Sequence, residues 1–181
     1  MKYIFIIIGL FILPLSAFAD KAADKVEFKK LYAEFNELYA NSEDIDQIIN
    51  VAKKVYKIAP KAYGKKSNNY AVVTYNLAKL YDEKGGEFSN DNERKALDLY
   101  EKYFKILKRL KTPKDKIYIE QYLEYLKVEN NIKRQSSNYK LSLETQKLSH
   151  SLEISQLDKA AIDFELGKIN FHAWNKERAL P

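Results

Sequence analysis

The side chains that most often carry chemistry are few and scattered in this sequence. His150 and His172 are the two histidines, and neither has a second histidine, a cysteine or an acid at a recognised metal-ligand spacing. Cysteine is absent, which excludes disulfides, thiol catalysis, thiolate-bound zinc and a lipid-modified N-terminal cysteine. Glu120 and Glu124 stand one helical turn apart, as a pair of catalytic carboxylates can, but such pairs abound on solvated helix faces. Gly85-Gly86 follows a helical stripe and does not open one, so it ends a helix and is no phosphate cradle. Neither a nucleophile elbow nor any other catalytic motif occurs. The expectation is a protein that is not an enzyme and needs no metal or other cofactor.

Tyrosine is the other chemically versatile residue, with 14 copies. Stacking platforms for sugars or bases are one use of it. Most of these rings fall on helical stripes, however, where a tyrosine fills a half-buried interface and keeps its hydroxyl wet, and packing is the preferred reading. The net charge of +6 is a mild excess spread over many helices. It reads as solvated helix faces, not as a nucleic-acid surface.

The elements that must position these groups are helical. A chain of 181 residues with 46% hydrophobic and 31% charged residues is globular, and only five glycines and four prolines leave too few turns for an all-β fold. Residues 1–19 form a leader: Lys2 gives the positive start, Tyr3 to Leu13 an apolar run, and Ala17-Phe18-Ala19 the small-x-small pattern of signal-peptidase cleavage before Asp20. The run is shorter than a spanning helix wants. A cleaved, secreted product in the periplasm of a Gram-negative cell is expected, with no stable membrane insertion afterwards; an uncleaved anchor is the alternative.

In the mature part, 20–181, steps of three and four recur. Phe28, Leu31, Tyr32, Phe35, Leu38 and Tyr39 mark a first helix. Ser42 is the candidate N-cap of a second, which carries Ile45, Ile48, Ile49, Ala52, Val55, Tyr56 and Ala59 and is expected to stop at Pro60. A polar connection over Ala62–Asn69 leads to a third helix with Tyr70, Val73, Leu77, Leu80 and Tyr81. After a polar loop at Phe88–Asn92 comes a fourth, with Ala96, Leu99, Tyr100, Tyr103, Leu107 and Leu110. Thr112-Pro113 reads as an N-cap and first helical position, opening a fifth helix with Ile119, Tyr122, Leu123 and Leu126. Between Asn130 and Gln156 the pattern weakens: Leu141, Leu148 and Leu152 share a helical face, while Leu141-Ser142-Leu143 also alternates as a strand would; helix is expected, because the neighbours are helical. Ala160, Phe164, Gly167 and Phe171 define the stripe of a last helix.

The segment Tyr75-Asn76-Leu77-Ala78-Lys79-Leu80-Tyr81, then Gly85, then Ala96-Leu97-Asp98-Leu99-Tyr100, resembles a tetratricopeptide repeat of the kinesin-light-chain style. The clearest copy spans about 68–110. Its departure is a wider gap from Leu77 to Ala96, which the loop at Phe88–Asn92 accounts for. Degenerate copies cover Phe28–Ala59 and the region from about 158. The resemblance implies an all-α stack of antiparallel helical hairpins, a short solenoid whose first helices line a concave groove. It places Tyr75, Asn76, Lys79 and Asp82 on that groove, Asn76 to hydrogen-bond a peptide backbone and Lys79 to meet a carboxylate.

The functional expectation is a non-enzymatic periplasmic scaffold that binds a protein or peptide partner. The alternative is a fragment of an envelope energy transducer of the TonB kind, with the leader kept as an anchor and a C-terminal domain beyond Pro181. A cell-wall module with sugar-stacking tyrosines is a third. The last copy lacks its second helix, so Phe164 and Trp174 are expected to need cover, either from further chain or from a second copy in a homo-oligomer.

Overall fold

The computed structural model describes residues 15–85, 90–133 and 137–178, and every regular element among them is an α-helix. The helices are α1 (Leu15–Asn41), α2 (Ile45–Tyr63), α3 (Asn68–Gly85), α4 (Asn90–Leu110), α5 (Lys116–Lys133), α6 (Ser137–Ser151) and α7 (Gln156–Arg178). Each packs against the next, and α5 also touches α7. The apolar run of the leader lies outside the described residues. Among those described, no helix is long and apolar enough to cross a membrane.

Two apolar clusters meet along the α3–α4 pair. One joins α1, α2 and α3 through Phe28, Phe35, Val55 and Leu77, with Tyr103 and Leu107 closing it from α4. The other joins Ala78, Ala96 and Tyr100 to Ile119 and Leu126 of α5 and to Ile162, Leu166 and Ile169 of α7. Ala78 and Ala96 are both fully buried, as expected of small residues where two helix backbones come close.

Several helix boundaries differ from the sequence reading. Asp44, not Ser42, caps α2: its carboxylate accepts from the amides of Asp46 at 3.0 Å and Gln47 at 3.1 Å. Ser42 acts one step earlier, accepting from the Asp44 amide at 3.1 Å. Pro60 does not stop α2. The helix runs one more turn to Tyr63, because proline removes a donor but keeps its acceptor, and the Pro60 carbonyl receives the Gly64 amide at 3.0 Å. Thr112-Pro113 likewise belongs to the link, and Asp115 caps α5 through the Tyr118 amide at 2.9 Å. The expected loop at Phe88–Asn92 is shorter at its far end, since α4 already begins at Asn90.

The chain from Ser137 to Ser151 is helix, and the strand alternative at Leu141–Leu143 is excluded. The stripe through Phe164, expected to need cover from outside the helices read in the sequence, faces outward on α7. Phe164 and Phe171 are 67% and 59% exposed, while Ile162, Leu166 and Ile169 are buried. Asn130 fixes that choice, donating from its buried amide to the Ile169 carbonyl at 3.2 Å. Trp174 and His172 lie outside the residues whose side chains are described.

Candidate functional site

The helical pitch brings Phe35, Asn36 and Tyr39 to one side of α1 and Tyr75, Asn76, Lys79 and Leu80 to the facing side of α3. Between them lies a cleft of about 260 Å³. Its walls are rigid for identifiable reasons. Phe35 is buried and stacks on Tyr39 with ring centres 5.8 Å apart. The Tyr75 ring is held by Tyr103 at 5.2 Å and by Tyr100 at 5.9 Å.

The polar groups of the cleft differ in how committed they are. The Tyr75 hydroxyl donates to the Glu124 carboxylate of α5, and Lys79 Nζ stands 3.8 Å from the same carboxylate. Burial, then the hydrogen bond to Glu124, pushes the Tyr75 phenol far up, so it stays a proton donor. The amides of Asn36 and Asn76 hold no hydrogen bond to the described residues, and Asn36 is exposed while Asn76 is half-buried. An amide offers both a donor and an acceptor, the pair that an extended peptide backbone needs.

Of the four groove residues expected from the sequence, Tyr75, Asn76 and Lys79 line this cleft and Asp82 does not. Burial, with the charges of Glu124, Glu93 and Glu83, pushes the Asp82 carboxyl up to about 6, and Lys127 only partly opposes them. Phe35 and Asn36 were not singled out by sequence reasoning. The signal for them is the dipeptide Phe35-Asn36 on α1, which returns as Tyr75-Asn76 on α3.

His150 pairs with Asp163 of α7 at 2.9 Å, a helix-to-helix tie. Among the described residues no group of three or more histidines, cysteines or acids is arranged to hold a metal ion. Compared with known proteins, the chain matches no family model, no curated protein and no solved structure.

Proposed function

We propose that this chain is a non-enzymatic, tetratricopeptide-like scaffold, exported by its leader to the periplasm, that holds an extended peptide in the cleft between α1 and α3. The observation that carries this reading is the pair of aromatic–asparagine dipeptides, Phe35-Asn36 and Tyr75-Asn76, on the two walls of one cleft. Aromatic rings bury apolar side chains of a peptide, while uncommitted amides take its backbone N–H and C=O groups. Neighbouring helices packed in sequence order suit such a repeat.

The test is selection of binders from a displayed random-peptide library, followed by affinity measurements on the Asn36→Ala, Asn76→Ala double variant. Each backbone-directed amide is worth about 1 kcal/mol, so the loss should be about 30-fold. Thermal unfolding should be unchanged, because neither amide supports the fold. Peptides that bind the double variant equally well would sink the assignment.

A further inference from the structure

A second cavity, of about 540 Å³, lies between the C-terminal half of α4 and the outer side of α5 and shares no lining residue with the α1–α3 cleft. That volume is in the range of small-molecule sites. Its floor is aromatic. Phe104 stands at the centre and meets the edges of Tyr118 at 5.4 Å, Tyr122 at 5.0 Å and Tyr125 at 5.7 Å. Its rim is basic, with Lys105, Lys108 and Lys114.

The chain goes out of its way to build this mouth. Lys111 adopts φ 55, a left-handed backbone usually left to glycine, and the amides of Lys111 and Thr112 turn back to the carbonyls of Lys108 at 3.3 Å and Leu107 at 3.2 Å. That sharp exit swings Thr112 and Lys114 over the cavity, with Lys114 Nζ 6.0 Å from the Tyr118 ring centre. The one acid on the lining, Glu101, lies 3.7 Å from Lys105, and no acid among the described residues pairs with Lys108 or Lys114.

These groups select among ligand classes. A sugar needs several amides or carboxylates to take its hydroxyls, and here Glu101 is the one carboxylate and no side-chain amide lines the cavity. An extended peptide is best met by side-chain amides, each a donor and an acceptor in one plane, which line the α1–α3 cleft and not this cavity. What the cavity offers is an apolar floor, uncompensated positive charge at the mouth, and phenol hydroxyls on Tyr118 and Tyr122 that hold no hydrogen bond to the described residues. Burial keeps both phenols protonated, Tyr122 being pushed up to about 12, so they donate and add no negative charge.

We propose that this cavity binds an anionic amphiphile, its apolar body on the Phe104–Tyr118–Tyr122–Tyr125 floor and its acidic head against Lys108 and Lys114. The experiment is calorimetric titration of the full chain with dodecanoate below its micelle-forming concentration. Dodecyltrimethylammonium, which keeps the tail and reverses the charge, is titrated beside it. Dodecanoate should bind saturably, one per chain, and the cation about tenfold or more weaker. The Lys108→Glu, Lys114→Glu variant changes two exposed side chains, so it should fold as the parent does while losing dodecanoate affinity by about tenfold. Tyr122→Ser should weaken binding of the tail independently of the head. Equal affinity for the two amphiphiles, an unaltered charge-reversed variant, or displacement of dodecanoate by an acidic peptide that binds more tightly would each overturn the proposal.

Discussion

Lys79 of α3 and Glu124 of α5 face each other at 3.8 Å, so the cation expected to meet a ligand carboxylate already has an acid of its own chain beside it. Both side chains are partly exposed, 42% and 32%, and an ion pair of that length in that setting is worth at most about 1 kcal/mol. A ligand carboxylate must nonetheless displace it.

Glu124→Gln removes the competing charge and keeps an acceptor for the Tyr75 hydroxyl. Peptides ending in a free carboxylate at the cleft should then bind about threefold to tenfold more tightly, and their amidated forms should not gain. Fluorescence anisotropy with the paired peptides reads this directly. Equal gains for both forms would mean that Lys79 takes no part in binding.

Asp82 gives a pH prediction whose sign follows from its raised carboxyl. Burial first, and then Glu124, Glu93 and Glu83, shift it from 3.8 to about 6 in the folded chain. The folded state therefore holds this proton more tightly than the unfolded one, and stability falls as pH rises across that interval. Above it the ionised carboxylate is a standing cost. Asp82→Asn should raise the melting temperature near neutral pH, and the gain should shrink as pH falls through about 6 and vanish near about 4. Melting curves of parent and variant at several pH values decide it; a gain that ignores pH would point to packing instead of charge.

How much was legible in the sequence depended on whether apolar periodicity singled out one face. On α2 and α4 it did, and the stripes through Val55 and Leu107 are the buried ones. On α6 the seam is Ser142, Thr145 and Ser149, all buried. Thr145 and Ser149 donate to carbonyls of their own helix at 2.8 Å, so those two hydroxyls pack there at little cost, while the buried Ser142 hydroxyl has no partner among the described residues; with hydroxyls along the seam the hydrophobic pattern fades. On α7 two apolar stripes compete, and periodicity cannot choose between them. The cleft had the same character: Tyr75, Asn76 and Lys79 were readable from the repeat-like segment, but Phe35 and Asn36 lie where that resemblance is weaker and needed the facing helix in place.

The choice of face on α7 is itself testable. Leu166→Ala should cost about 2–4 kcal/mol, because it opens a cavity between α5 and α7. Phe164→Ser, on the other face, should stay within about 0.5 kcal/mol. Urea unfolding of the two variants separates the alternatives cleanly. A large loss from Phe164→Ser would mean that the outward stripe is covered in the folded protein, as by a second copy of the chain.

Two positive-φ positions both favour glycine and so predict opposite responses to opposite exchanges. Gly64 ends α2 at φ 89 and ψ 155, a combination that only glycine occupies without strain, although nothing lies within 4 Å of where a Cβ would be placed. Gly64→Ala should therefore cost about 1–3 kcal/mol through the backbone and not through a clash. Lys111 sits at φ 55 with a side chain that the left-handed region tolerates poorly. Lys111→Gly should stabilise by about 1 kcal/mol, since glycine relieves that strain without moving the turn. Because Lys111 does not itself line the aromatic cavity, the same variant should leave dodecanoate binding within about twofold of the parent. A variant that gains stability and loses binding would show that the strained exit from α4 sets the width of the cavity mouth.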